Sequence, residues 1–195
     1  MKCKNIILFV IFATLSFNSM AQDAGSKFSI ELSIGPSFAT QELAGSSLNT
    51  GAGSEVVFHY RFMPHLGAYA GWGYNRHSSD NSFAGSDMDF EETGYVFGLQ
   101  FKHPLGNLPV SYYVRGAGLY NHIETENSDG DIVNDTGHGL GWQLAGGIDI
   151  PVGKGWSLTP GLKFNALSRD FDNGTINRNL DLNYVTARVG ILKGF

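Results

Sequence analysis

The sequence predicts an all-β fold: a transmembrane, antiparallel, eight-stranded up-and-down β-barrel. Three observations carry that prediction. Eight stretches of about ten residues alternate apolar and polar side chains, the period-two signature of strands with one apolar face. Short turns take turns with longer, polar, acidic connections. The final stretch runs into a C-terminal Phe195. A sheet can cross a bilayer only if it closes and leaves no unpaired edge, so an even set of such segments implies a barrel.

The first segment sets Phe28, Ile30, Leu32, Ile34 and Phe38 against Ser29, Glu31, Ser33 and Ser37. The second sets Val56, Phe58, Tyr60 and Phe62 against Glu55, His59 and Arg61. In the third, Leu66, Ala68, Ala70, Trp72 and Tyr74 oppose Gly67, Gly71, Gly73 and Asn75. The fourth opposes Tyr95, Phe97, Leu99 and Phe101 to Gly94, Gly98, Gln100 and Lys102. Val110, Tyr112, Val114 and Tyr120 mark the fifth, against Ser111, Arg115 and Asn121. The sixth carries Leu140, Trp142, Leu144, Ile148 and Ile150 against Gly141, Gln143, Gly147 and Asp149. Trp156, Leu158, Leu162 and Phe164 face away from Ser157, Thr159, Lys163 and Asn165 in the seventh. Val185, Ala187, Val189, Ile191 and Phe195 complete the eighth, against Thr186, Arg188 and Gly190.

Connections at 63–65, 103–109 and 152–155 are short, whereas those near 41–50, 78–89, 124–138 and 168–181 are long and polar. With both termini on one side, the short turns lie in the periplasm and four loops face outward. Pro160 is the exception within a strand, because it cannot donate to the ladder. A bulge or a shifted register is expected there.

Alternation alone does not say which face meets lipid, and a soluble lipocalin-like carrier would point the apolar side inward. The segments are long enough to cross a bilayer at a tilt. Their polar faces are rich in Gly, Ser, Asn and Gln, as a narrow interior requires. Aromatics gather at both ends of the apolar bands: Phe28, Phe62, Phe101, Tyr112, Trp156 and Phe195 near the turns, Phe38, Trp72, Tyr74, Tyr120, Trp142 and Phe164 near the loops. Two interfacial girdles would place them so.

Residues 1–21 read as a cleaved signal peptide, with Lys2 and Lys4, an apolar run from Ile6 to Phe12 and small residues at Ser19 and Ala21. Residues 22–195 then form one barrel domain. Cys3, the single cysteine, leaves with the signal, so no disulfide or cysteine metal site remains. Charged residues make up 16% of the chain, against roughly 25% in soluble domains. Removing Lys2 and Lys4 takes 13 basic residues to 11, against 18 acidic ones, which argues against a nucleic-acid partner.

Eight strands enclose a lumen only wide enough for side chains. The inward set includes Glu31, Glu55, Glu92 and Asp149 with Arg61, Lys102, Arg115, Lys163 and Arg188. Charges in such a lumen should pair, so these nine are expected to form a structural ion-pair network that plugs the barrel.

The chain resembles the small Gram-negative outer-membrane barrels of the OmpA/OmpX type over essentially all of 22–195. The resemblance rests on the architecture and on the closing pattern of Val185, Ala187, Val189, Ile191, Lys193 and Phe195. It implies that Val189, Ile191 and Phe195 form the C-terminal signal read by the barrel-assembly machinery. Lys193 stands where that family commonly has an aromatic. The resemblance further implies outer-membrane insertion, contact with membrane lipid and lipopolysaccharide, and a structural or surface-interaction role without catalysis. A monomer with an unidentified surface ligand and no cofactor is expected.

Two loop motifs invite chemistry. His77-x-Ser79 is similar to the His-x-Ser of outer-membrane lipid A deacylases, where histidine activates a serine hydroxyl. That pattern continues with Asn, and here Asp80 follows, so a solvated loop is the better reading. A lipid-modifying enzyme would need His77 and Ser79 to meet near an acid on the lipid side of the rim. Asp170-x-Asp172-Asn173-Gly174 has the look of a calcium loop but lacks its spacing and distal Glu, so a turn is expected. The six histidines show no metal-ligand spacing.

Overall fold

The computed structural model describes residues 26–172, 174 and 177–195; residues 1–21, read as the signal, lie outside the described residues. Ten strands form in chain order: β1 (Phe28–Ala39), β2 (Gly51–Arg61), β3 (Leu66–Ser82), β4 (Gly85–Pro104), β5 (Ser111–Glu126), β6 (Ile132–Asp135), β7 (Gly139–Gly153), β8 (Trp156–Leu158), β9 (Gly161–Asp172) and β10 (Asn177–Gly194). Every pairing is antiparallel. β1 to β5 pair in sequence, β5 pairs with β7, and β7 pairs with both β8 and β9. Both pair with β10, which closes on β1 from Ser29 opposite Gly194 to Ala39 opposite Tyr184. β8 and β9 are two parts of one staff, so the ring holds eight strands, as the period-two pattern predicts.

Pro160 requires neither a bulge nor a shift. Leu158 faces Ile150 and Gly161 faces Gly147, an unbroken count across the proline. On the other side Leu158 faces Ile191 and Gly161 faces Arg188, again in step. The Ile148 N–H donates to the Pro160 carbonyl at 3.0 Å, and the reciprocal bond is the one a proline lacks. Thr159 and Gly190 still exchange bonds of 2.8 and 3.2 Å beside it. The ladder tolerates one missing donor. The irregularity in this hairpin falls instead at Pro151 and Gly153, next to the turn.

The apolar face points outward. Tyr60, Phe97 and Leu144 are 42%, 50% and 54% exposed, while the residues alternating with them are buried or half-buried. Phe28, Phe62, Phe101 and Tyr112 stand exposed at the turn end, and Phe38, Trp72, Tyr120 and Trp142 at the loop end. Among the described residues no helix is long and apolar enough to cross a membrane. Water would penalise this surface heavily; acyl chains would not.

Above the loop-side aromatics the polarity inverts. β3 and β4 run 17 and 20 residues, beyond the 9–11 or so that a tilted crossing needs. In the extra turns the inward residues are apolar (Met88, Phe90, Ile123, Phe171, Leu180, Leu182) and the outward ones polar (Asp80, Asp89, Glu91, Glu124, Asp170). The long connections expected at 78–89 and 168–181 are therefore strand for most of their length. Only Phe83 and Ala84 join β3 to β4, and 173–176, of which Gly174 is described, joins β9 to β10. Water lies on both flanks of this hairpin-built extension, so it needs an apolar core of its own.

Candidate functional site: a charged lumen beneath an apolar cap

The barrel interior is organised in storeys. At mid-height Glu31 on β1 is fully buried and collects partners from across the lumen. Its Oε2 accepts from Arg115 Nη2 at 2.5 Å and lies 3.2 Å from His59 Nε2. Its Oε1 accepts from Arg188 and, at 2.6 Å, from Thr159 Oγ1. Glu55 on β2 is the second anion: Oε2 accepts from Lys163 Nζ and Gln143 Nε2, both at 2.9 Å. Arg188 Nη1 stands 3.6 Å from Glu55 Oε1, so this arginine links the two carboxylates.

Surrounding groups hold the cations in place. The Arg115 guanidinium lies 4.5 Å from the Tyr113 ring centroid and 5.5 Å from that of Tyr69. Its Nε donates to Gln100 Oε1 at 2.7 Å. Gly190 makes the room this cluster needs. A Cβ there would stand 2.6 Å from Glu31 Oε1 and closer still to Thr159 Oγ1. Interactions from β1, β2, β5, β7, β9 and β10 thus converge at one level, and there Glu31, Glu55, Arg115, Lys163 and Arg188 each meet an opposite charge.

The geometry separates the nine residues named from sequence. Glu31, Glu55, Arg115, Lys163 and Arg188 come together. Lys102 and Asp149 form their own pair, at 2.6 Å, nearer the periplasmic mouth. Glu92 and Arg61 do not join either group. Glu92 is buried but accepts from the Tyr184 hydroxyl and Asn121 Nδ2, and no cation pairs with it among the described residues. Neutral hydroxyl and amide donors satisfy it instead. Arg61 ends β2 at the rim, half-exposed, beside a mouth cavity of about 430 Å³ that Lys27 and His65 also line. Its guanidinium is open to solvent there.

Sequence reasoning missed two members of the interior. His59 was visible on the inward face, yet nothing in the spacing tied it to Glu31. Arg169 is buried and uses carbonyls alone: Nε and Nη2 donate to Asn121 O at 2.9 and 2.8 Å, and Nη1 to Leu140 O at 2.9 Å. It cross-links β9 to β5 and β7 without a carboxylate.

Over this lumen sits the cap. Residues 40–50 fold back across the barrel, with a tight turn in which Leu43 and Ser46 exchange backbone bonds of 2.9 Å around Ala44 and Gly45, both at positive φ. The turn drives Leu43 into the apolar cluster of Phe90, Ile123, Phe171, Leu180 and Leu182. Phe83 closes the top, 5.0 Å from Phe171 in an edge-to-face contact and 5.8 Å from Phe90. Polar bonds fasten the lid to β3: Ser79 Oγ donates to Ser47 O at 2.8 Å, and Asn49 Nδ2 to Asp80 Oδ1 at 2.9 Å.

These same contacts occupy the polar atoms of the His-x-Ser motif. His77 and Ser79 are buried on the inward face, away from lipid. His77 Nε2 lies 3.3 Å from Ser37 Oγ, and Nδ1 3.0 Å from the Asn49 carbonyl. Ser79 donates to backbone carbonyls. The pair staples loop to strand. At the supposed calcium loop Asp172 Oδ1 accepts the Gly174 N–H at 2.8 Å, as a turn would have it; Asn173 lies outside the described residues.

Val189 and Ile191 stand half-exposed on the lipid face, and the Phe195 N–H donates to the Phe28 carbonyl at 2.9 Å, sealing the β1–β10 seam.

A closed ring with an apolar exterior, aromatic girdles and a charged, filled lumen defines an integral outer-membrane barrel of Gram-negative type. The chain belongs to the outer membrane protein beta-barrel domain family, which matches residues 7–191. Solved structures share the fold. Neisserial surface protein A superposes with a TM-score of 0.64 at 16% identity, over 89% of this chain and 100% of that one. Escherichia coli outer membrane protein W gives 0.55 at 11% identity, over 89% and 100%. Ail, the attachment invasion locus protein of Yersinia pestis, solved with the heparin analogue sucrose octasulfate, gives 0.52 at 15% identity, over 87% and 99%. Comparison with curated proteins finds no match.

Proposed function

We propose that this protein is a non-enzymatic, non-conducting outer-membrane barrel that holds an acidic extracellular cap for contact with a surface partner. The observation that carries the reading is the double closure. Charged side chains fill the lumen at mid-height, and Leu43, Phe83, Phe90 and Phe171 pack across its outer end. A transport channel would need neither. The cap's outward residues are mainly carboxylates, including Asp80, Asp89, Glu124, Asp129 and Asp170. Such a surface repels polyanions of the kind seen with Ail, and favours a cationic or neutral partner.

In this reading the chain is exported through a cleaved signal at 1–21 and inserted as a monomer. The assembly machinery reads Val189, Ile191 and Phe195, and lipopolysaccharide surrounds the girdles. Planar-bilayer recording of the purified, folded protein is expected to show no discrete conductance steps. Replacing residues 127–138 with a short Gly/Ser turn should abolish partner contact on cells while leaving heat-dependent gel mobility intact. Stable ion-conducting steps from the wild-type barrel would refute the closed-lumen reading.

A further inference from the structure

On the outer flank of the cap, just above the exposed Tyr95 and Tyr120, three donors from two strands converge. His122 and Glu124 are two apart on β5 and so share its outward face. Asp135 on β6 is the direct cross-strand partner of Glu124. The ribbon thus brings together residues whose sequence spacing carries no metal signature. His122 Nδ1 lies 2.9 Å from Asp135 Oδ1 and 3.8 Å from Glu124 Oε1, and all three donor atoms lie within 4.8 Å of one another.

We propose that His122, Glu124 and Asp135 form a binding site for a divalent transition ion of the zinc class. Tetrahedral zinc, with bonds of about 2.0–2.1 Å, holds its donors about 3.3 Å apart, and the two measured spacings bracket that value. A nitrogen donor favours zinc over calcium or magnesium, which prefer all-oxygen shells. Two carboxylates balance the ion's charge. His122 is buried on one side, its ring stacked against His138 at 4.4 Å and 16° between planes, so the donor is held in orientation. His138 in turn leans on Tyr120, 5.1 Å away. Coordination positions left by the three side chains face solvent at the level of the lipid headgroups, where a water or a phosphate oxygen can complete the shell.

Local charge also favours a cation. Arg76 is committed to Asp89 and Glu91, both on the neighbouring β4. Among the described residues, no lysine or arginine pairs with Glu124 or Asp135, and Glu126 adds a further carboxylate beside Glu124.

Calorimetric titration of the folded full chain in zwitterionic detergent with zinc chloride tests the site. One zinc per chain is expected. H122Q and D135N should each weaken binding by about tenfold or more, a scale set by the losses seen even when outer-shell partners are removed. E126Q should weaken binding less than either, since Glu126 adds charge beside Glu124 but no ligand atom to the donor set. Heat-dependent gel mobility identifies variants that retain the barrel. Should one fail to fold, the wild type still decides: saturating zinc shifts the His122 ring resonances and leaves those of buried His59 and His77 in place. Absence of zinc uptake, uptake insensitive to H122Q, or displacement by equimolar calcium would overturn the assignment.

Discussion

Replacing Glu31 with alanine is expected to lower the stability of the folded barrel by about 3–5 kcal/mol, because it strands buried Arg115 and leaves Arg188 only its 3.6 Å contact with Glu55. Arg115 and Arg188 both depend on this carboxylate, and neither is exposed enough for water to take over. Urea unfolding in lipid vesicles, followed by tryptophan fluorescence and gel mobility, measures the change. A triple variant, E31L with R115M and R188M, distinguishes orphaned charge from lost packing. It should recover most of the deficit, since an apolar set of similar volume carries no desolvation penalty. A loss under about 1 kcal/mol for Glu31→Ala would mean that water already solvates these arginines in the lumen.

Phe90→Ala is expected to cost about 3–5 kcal/mol, and to loosen the cap while the bilayer-spanning ring stays closed. Phe90 is fully buried among Leu43, Ile123, Phe171 and Leu180, and Phe83 packs on it from above. The cap core is built from strand extensions and the 40–50 loop, none of which spans the membrane, so its unfolding need not open the ring. Limited proteolysis of intact vesicles should cut the variant at 40–50 and 83–84 far faster than the wild type. Its heat-dependent mobility shift should persist. Equal protease resistance would mean that the cap's backbone ladders hold it without its apolar core.

What was legible from residues alone follows from the period of a strand. Alternation assigns each side chain a face, so Glu31, Glu55, Arg115, Lys163 and Arg188 could be placed inside before any coordinates. It says little about which strand stands across the lumen at the same height. That depends on the stagger between eight strands, which is why Arg61 fell at the rim and Glu92 met Tyr184 rather than a cation. Arg169 was hidden for a different reason: its partners are backbone carbonyls, which leave no mark on composition.

The cap was misread because the solvent changes along the strand. Beside lipid, an outward residue is apolar; above the girdle, the outward residue meets water and turns polar. In β10 the outward Val189 and Ile191 give way to Asp181 and Asn179, while the inward Arg188 and Thr186 give way to Leu182 and Leu180. Period two persists through the inversion, but its phase reverses. A strand judged by one apolar face ends where that face ends. The proposed ion site was hidden for another reason, since His122 and Asp135 meet only through the β5–β6 ribbon.

Site-directed spin labelling along β4, in a background where Cys3 is the chain's sole native thiol, gives the sharpest check of how the barrel sits in the bilayer. Single cysteines at positions 95–97 and 99–101 of the reconstituted protein would report oxygen against water-soluble relaxant. Labels at 95, 97, 99 and 101 should be preferentially relaxed by oxygen, and those at 96 and 100 shielded from it. A label at the outward Leu144 should share the oxygen preference; the reverse phase along β4, or uniform access to the aqueous relaxant, would contradict a lipid-facing apolar surface around a sealed charged lumen.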